Sequence, residues 1–272
     1  MIPTICIGGF DEKKLEMTKN AGFKHVELNF SEMALKSEAE FKEYLSEITE
    51  MGFTPVAGNC FIPWTLKNEN GFFRETFDIG KVKEYVDMAF EKTKAVKWNS
   101  VAFGSGKFRE MPEGYDRDKA FDLFCGIISD IIVPKLEKYD AVLSIEELNC
   151  GETNFINSCR DALCAVKKVN HPRVGILCDY YHMSLAGETA SDVPDFAKYI
   201  THLHIASPAN KRAIPVADDG DGENYSAFFG ALKKCGYDKK YLSVEGHIPE
   251  EKDVQKMLSD CYGYLSSLSD AF

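Results

Sequence analysis

The sequence predicts an α/β protein that folds as one closed (β/α)8 barrel, the TIM-barrel architecture, in a single domain over residues 1–272. Short apolar runs alternate along the chain with amphipathic helical stretches, and eight such strand–helix pairs are recognisable. Because a helix separates each strand from the next, consecutive strands are expected to be parallel. A length of 272 residues also suits one α/β barrel, which takes about 250 residues.

The first half of the chain contains four of these pairs. The predicted strands cover residues 4–9, 25–30, 54–61 and 100–104, and the predicted helices cover residues 12–21, 38–51, 80–96 and 121–132. The helix over 80–96 has the clearest pattern, because Val82, Val86 and Ala89 follow the spacing of one helix face. These segments account for half of the barrel.

The second half repeats the order. The predicted strands cover residues 141–148, 174–179, 199–206 and 241–246, and the helices cover residues 157–169, 192–197, 225–235 and 254–268. An open, doubly wound sheet would share this element order. It would more often carry a glycine-rich phosphate loop after the first strand, whereas no G-x-G-x-x-G follows Ile7-Gly8-Gly9. The count of eight strands therefore favours the closed barrel.

Composition limits the choice of partners and location. The chain has 32 Lys and Arg against 43 Asp and Glu, a net charge of −11, and an acidic surface repels the nucleic-acid backbone. No apolar run approaches the length of about 18 residues that spans a membrane, and no signal peptide is visible. Nine cysteines without a C-x-x-C pair indicate reduced thiols that serve as small core residues. We expect a cytoplasmic protein without nucleic-acid or membrane partners; a homo-oligomer is left open, since dimers are the commonest assembly.

Ionisable residues end the last four strands, and in a barrel these ends meet at one face. Strands five to eight end in Glu146, Asp179, His204 and Glu245. Oxygen and nitrogen ligands of this kind suit one divalent ion of Mn, Mg, Co or Zn. Alternation along a strand places His202 on the same face as His204, and it turns Glu147 towards the helices if Glu146 faces inward.

Each of these residues also has an ordinary structural interpretation. Asp179 could cap the next helix, and a single histidine is often a hydrogen-bonded core residue. Glu27, at the end of strand two, could bind a substrate hydroxyl or act as a structural acceptor. Aromatic and proline residues after strands three and four could enclose a sugar site or only pack loops: Phe61, Pro63, Trp64, Phe72, Phe73 and Phe108. The combination of four strand ends is what favours a metal site.

The same segments resemble the xylose-isomerase-like TIM barrels, specifically the sugar epimerase and isomerase branch that includes the ketose 3-epimerases. The resemblance covers roughly the whole chain. It is strongest over residues 145–152, 178–183, 202–206 and 243–245, and residues 104–114 and 228–238 also match. Cys150 departs from the pattern, because many members of the branch carry Arg there, which leaves the substrate open.

The resemblance implies functions for individual residues. It makes Glu146, Asp179, His204 and Glu245 the metal ligands, and it places Glu152 and His182 on the substrate oxygens. A basic residue after strand seven shares that task. Arg212 is the candidate, with Lys211 as its rival.

The implied chemistry is epimerisation or isomerisation of a sugar or sugar phosphate. A metal would stabilise the enediolate formed next to a carbonyl, while Glu146 and Glu245 act as base and acid. A phosphorylated substrate would draw on Lys107, Arg109, Lys211 or Arg212.

Three other functions remain open from the sequence. A dehydratase of the inosose or dehydroshikimate type would share the first step. An enzyme of the endonuclease IV branch would need extra histidines after strands two, three and seven; none ends strand three or four, and no Asp-x-His follows strand seven, so this function is disfavoured. A non-catalytic barrel could bind a polyol.

Overall fold

A computed structural model describes residues 1–9, 11–66 and 71–270 of the chain. Eight parallel strands follow one another around a closed barrel, and β1 pairs with both β2 and β8. The strands are β1 (Ile2–Ile7), β2 (His25–Asn29), β3 (Thr54–Asn59), β4 (Ser100–Phe103), β5 (Leu143–Glu146), β6 (Val174–Asp179), β7 (Ile200–Ile205) and β8 (Tyr241–Val244). The predicted barrel is thus confirmed. We infer one domain, because a cut between β4 and β5 would open the sheet.

Helices form the outer layer. They are α1 (Glu12–Ala21), α2 (Phe30–Leu35), α3 (Glu38–Glu50), α4 (Ile79–Thr93), α5 (Arg117–Ile127), α6 (Val133–Lys138), α7 (Cys159–Val169), α8 (Tyr180–Leu185), α9 (Val193–Phe196), α10 (Gly222–Lys234) and α11 (Val254–Asp270). Every predicted helix has a counterpart among them. Across the described ranges, no helix combines the length and apolar character needed to cross a membrane.

Two short helices that the sequence did not predict begin directly at strand ends. Asn29 ends β2, and its side chain accepts a hydrogen bond from the Glu32 amide, 3.0 Å away, which starts α2. Asp179 ends β6 and caps α8 in the same way through the Tyr181 amide at 2.8 Å. Helices of six residues are too short to show a helical period, so the sequence pattern could not reveal them.

The helix predicted over residues 121–132 is longer and irregular. It begins at Arg117 and continues through a π-helical turn, Ile128–Ile132, into α6. Pro134, in the first turn of α6, has no N–H to donate, and the wider turn comes just before it. The apolar pattern shows the helix but not this change in its hydrogen bonding.

The barrel interior below the strand ends holds small polar residues. The hydroxyl of Ser144 lies 2.8 Å from those of both Ser100 and Thr201, and Thr201 donates to the Ile176 carbonyl at 3.2 Å. Thr201 is an extra residue in the pairing of β7 with β6. This bulge lets Thr201 and the next residue, His202, both contribute polar groups to the interior.

The prediction that the cysteines are reduced core residues is only partly confirmed. All nine cysteines are free, and Cys125, Cys159, Cys178 and Cys261 are buried. Four others are exposed: Cys60, Cys150, Cys164 and Cys235. The prediction that the cysteines are core residues is therefore wrong for these four, because a thiol is small enough to be tolerated on either side of a helix or strand end.

We expect Gly175→Ala to destabilise the barrel. A Cβ at this position would lie 2.3 Å from Thr201 Cγ2 and 2.7 Å from the Tyr199 carbonyl oxygen. Overpacking of this kind costs about 1–3 kcal/mol, which chemical denaturation would measure. Gly126→Ala is the matched control, since nothing lies within 4 Å of its added methyl group. Equal stability of the two variants would contradict the prediction.

Candidate active site

Four ionisable side chains converge at the carboxyl ends of the last four strands. One ligand atom from each lies within 4.8 Å of the others: Glu146, Asp179, His204 and Glu245. His204 Nδ1 lies 3.5 Å from Glu146 Oε1 and 3.4 Å from Glu245 Oε2. The structure thus brings together the four predicted ligands, which are separated by up to 99 positions in the sequence.

Two atoms of this cluster suggest that it is built for a cation. His204 Nδ1 and Asp179 Oδ2 are buried and have no hydrogen-bond partner among the described residues. Unpaired buried polar atoms are rare, because burial removes their hydration. Burial raises the pKa of Glu146 and Asp179, and the neighbouring carboxylates raise it further. A divalent cation among these atoms would satisfy both the unpaired groups and the excess negative charge, so the donor set fits a metal.

Glu27 determines how the histidines are oriented. Its carboxylate lies 3.0 Å from His204 Nε2 and 2.8 Å from His202 Nε2, and all three side chains are buried. A proton on His204 Nε2 leaves Nδ1 free as a ligand atom. Although burial alone would raise the pKa of Glu27, the two imidazoles hold it well below its usual range. Glu27 is therefore the structural acceptor that the sequence offered as one alternative.

Asp179 serves two purposes at once. Its Oδ1 caps α8, while its Oδ2 faces the cluster. Its backbone amide donates to Glu147 Oε1 at 2.9 Å, and Glu147 is fully buried beside Cys159 of α7. Glu147 thus faces the helix layer, as alternation predicts, and it supports Asp179 from outside the barrel.

His182 lies next to the cluster in a defined orientation. Its Nδ1 accepts from the Asn149 amide at 3.2 Å, so the proton is assigned to Nε2. Nε2 lies 3.5 Å from Asp179 Oδ2 and 3.9 Å from Glu152 Oε1. Asn149 also donates to Glu152 Oε1 at 2.8 Å and so holds the two predicted substrate-binding residues together.

Arg212, and not Lys211, points into the site. Its guanidinium donates to Glu152 Oε1 at 3.0 Å and to Glu245 Oε2 at 2.5 Å, and it lies over the Tyr181 ring. Lys211 is exposed. Burial alone would raise the pKa of Glu245, but the neighbouring His204 and Arg212 side chains hold it well below its usual range.

The loop that carries Arg212 has an unusual backbone. Lys211 and Arg212 have φ values of 53° and 70°, in the left-handed region. The strand-like pairing of Ser207 with Ala213, and of Ala213 with His247, holds the loop against the segment after β8. Gly246 permits this contact, because a Cβ there would lie 2.9 Å from the Arg212 carbonyl oxygen. Ordinary side chains at this position would therefore displace the loop.

A cavity of about 270 Å³ opens above the cluster. Glu146, Glu152, Arg212 and Glu245 line it together with apolar residues, namely Ile62, Pro63, Phe108 and Leu148. Two of the predicted wall residues, Pro63 and Phe108, are thus at the cavity. Phe61, Phe72 and Phe73 are buried core residues instead, and the Trp64 side chain lies outside the described residues.

Several residues of the site escaped the sequence analysis. Asn59 ends β3 and donates to Glu245 Oε1 at 3.3 Å; its polar side chain at a strand end was the available signal. Gly104 follows β4, and a Cβ there would lie 2.3 Å from Glu146 Oε2. Arg109, a candidate for binding a phosphate, is fully buried and does not line the cavity, so that suggestion is wrong. Its guanidinium donates instead to the main-chain carbonyl groups of Phe103 and Glu146.

A family model described as a xylose isomerase-like TIM barrel matches residues 15–261. The chain belongs to this family. Among individual proteins, a ketose 3-epimerase from Arthrobacter globiformis is 33% identical over 98 residues, 35% of this chain and 32% of that protein. The matched part thus spans about a third of the length of that relative.

Solved structures share the whole fold. D-psicose 3-epimerase with D-tagatose, from Clostridium cellulolyticum H10, is 17% identical at a TM-score of 0.76, covering 99% of both chains. The IOLI protein with a bound zinc atom is also 17% identical, at a TM-score of 0.71, covering 100% of this chain and 99% of that one. At these identities the likeness establishes the fold of this family member, and the chemistry has to be argued from its site.

We expect Gly246→Ala to release the Arg212 loop, because the added methyl group would collide with its backbone. The loop contains the consecutive trypsin sites Lys211 and Arg212. Limited trypsin digestion, followed by mass spectrometry, should show faster cleavage after these residues. Gly263→Ala is the control, as nothing lies within 4 Å of its added Cβ. Unchanged cleavage in Gly246→Ala would refute the assigned contact.

Proposed function

We propose that this protein is a divalent-cation-dependent epimerase or isomerase of small sugars, which moves a proton at a carbon next to a carbonyl group. The observation that carries the proposal is the convergence of Glu146, Asp179, His204 and Glu245, with two buried unpaired ligand atoms, next to the cavity that Glu146 and Glu245 line. The similarity to epimerases supports the choice of substrate class.

These four residues would hold the cation. Glu27 would keep His204 Nδ1 free for it, and Glu147 would hold the backbone of Asp179. A bound divalent cation would polarise the sugar carbonyl and stabilise the negative charge of an enediolate, which makes the neighbouring C–H acidic enough to lose its proton. The ion's identity stays open among Mn, Mg, Co and Zn, and the zinc atom of the IOLI protein is a precedent within the fold.

Glu146 and Glu245 are the proposed proton-transfer groups. They come from β5 and from the end of β8, and both line the cavity. In this scheme one carboxylate takes the proton from the carbon, and the other carboxyl group returns a proton to the opposite face. The stereocentre is thereby inverted, and the enzyme's two carboxyl groups exchange protonation states.

The remaining polar groups would orient the substrate. Arg212 and Glu152 line the cavity and are hydrogen-bonded to each other, so they could donate to and accept from adjacent sugar oxygens. His182 is buried behind them, with Nε2 3.9 Å from Glu152 Oε1, and would orient the Glu152 carboxylate. Lys107 lines the cavity but pairs with Glu110 at 3.5 Å, and Arg109 is buried. This distribution favours an unphosphorylated sugar, because a phosphate would need several free cationic groups.

The direct test measures the metal and the proton transfer together. We expect elemental analysis of the purified protein to find about one divalent ion per chain. Incubation with a panel of ketoses in deuterium oxide should introduce deuterium next to the carbonyl. A product that has lost water would instead indicate a dehydratase. Metal-loaded protein that neither exchanges protons nor changes any sugar would contradict the proposal.

We predict that Glu146→Gln and Glu245→Gln each lower kcat by about 10²–10⁴-fold, since the amide cannot transfer the proton. Substrate binding, measured by calorimetry, should change far less. Glu43→Gln, an exposed position on α3, is the control. Metal content must be measured for each variant, and near-normal turnover in metal-loaded Glu146→Gln would rule out its role in proton transfer.

We predict that Glu27→Gln weakens binding of the cation by about 10-fold or more. The amide would present an N–H to one of the two histidines, which would favour the wrong tautomer of His204. Calorimetric titration with Mn²⁺ measures the change. Glu137→Gln is a matched control because it breaks a Glu–His pair, with His171 at 3.3 Å, on the surface. Equal affinities in both variants would refute this role of Glu27.

A further inference from the structure

A buried arginine lies beneath the proposed catalytic carboxylate. Arg109 ends the short 3-10 turn Gly106–Arg109 that follows β4, and its side chain is completely inaccessible to solvent. Its Nη2 donates to the Glu146 carbonyl oxygen at 2.6 Å, and its Nη1 donates to the Phe103 carbonyl oxygen at 3.3 Å. The guanidinium therefore joins the main chain at the ends of two neighbouring strands.

These two carbonyl groups lie where the pairing of β4 with β5 stops, although Glu146 still pairs with Leu177 of β6 on its other side. The pairing of β4 with β5 ends at Phe103 and Ile145, so Glu146 is the first residue beyond it. The planar fork of an arginine can hold two acceptors in a fixed arrangement, which a lysine cannot do. Arg109 thus extends the connection between β4 and β5 by one residue, to the one that carries the carboxylate.

We propose that Arg109 is a positioning residue, which holds the main chain of Glu146 so that its carboxylate meets Asp179, His204 and Glu245. The inference rests on the proposed function of Glu146. Arg109 does not touch the cavity, and it would act only through Glu146.

The surroundings leave Glu146 little freedom once its main chain is held. Gly104 faces its Oε2 so closely that a Cβ would come within 2.3 Å. Gly106 packs against the segment after β5, where its Cβ would lie 2.9 Å from both the Glu152 carbonyl oxygen and Leu148 Cδ1. The segment that carries Arg109 is therefore fitted against the carboxylate and against the chain that follows β5, and a small movement of the main chain would move the carboxylate.

The charge of Arg109 offers a competing explanation with the opposite consequence. A buried cation near the carboxylates repels a second cation, so its removal should tighten metal binding if charge alone matters. Loss of a positioning group should weaken metal binding, because the ligands no longer converge. The direction of the change therefore separates the two explanations.

The test compares Arg109→Met, which removes charge and donors, with Arg109→Lys, which keeps the charge but loses the fork. Mn²⁺ affinity is measured by calorimetry, folding by thermal unfolding, and kcat and KM with a ketose that the wild type converts. We expect Arg109→Met to bind Mn²⁺ about 10-fold more weakly, with lowered kcat and little change in KM. Arg109→Lys should lie between Arg109→Met and the wild type. Arg117→Met, an exposed arginine paired with Asp161, is the control.

Each other outcome overturns the inference. Tighter Mn²⁺ binding in Arg109→Met would assign Arg109 an electrostatic effect only. If Arg109→Met does not fold, the result for Arg109→Lys is decisive. If Arg109→Lys has wild-type Mn²⁺ affinity and kcat, or also fails to fold, Arg109 has a purely structural role. If the wild type binds Mn²⁺ and converts a sugar, and both variants do so equally well, this inference is refuted but the proposed function stands. A wild type that binds no divalent cation would refute the proposed function and this inference together.

Discussion

The site depends on holding like charges close together where there is little water. Three carboxylates lie within 4.8 Å of one another around one imidazole, and burial raises the pKa of Glu146 and Asp179. Repulsion between unscreened carboxylates would push such a group apart. The closed barrel resists this, because each carboxylate stands at the end of a strand that is paired on both sides.

Support for the cluster comes from behind the metal ligands and from the wall of the cavity. Glu27 orients the histidine from inside the barrel, and Glu147 binds the Asp179 amide from the helix layer. Arg212 brings a positive charge to Glu245 from above. Glu27 and Glu147 are fully buried, so the geometry of the ligands is linked to the packing of the whole barrel, whereas Arg212 contributes from a loop.

Two glycines show how closely the surrounding chain approaches. Gly104 leaves room for the Glu146 carboxylate, and Gly246 lets the loop with Arg212 pack on the segment after β8. Neither glycine adopts a positive φ that would explain its presence. Glycine is required at these two positions because residues far apart in the sequence come into contact there, and no local sequence pattern could have indicated this.

The sequence by itself determined the barrel, since eight alternating apolar runs and amphipathic helices permit few other arrangements. It also determined that Glu146, Asp179, His204 and Glu245 lie at the same end of the barrel, because the carboxyl ends of parallel strands share one face. Because alternate side chains of a β-strand lie on one face, the sequence also predicted that His202 shares a face with His204 and that Glu147 faces the helices. Only the tertiary structure decided between Arg212 and Lys211, assigned Glu27 to the histidines and placed Arg109 in the interior, away from any bound phosphate. Those three outcomes depend on side-chain contacts across the barrel, and periodicity along one chain carries no information about such contacts.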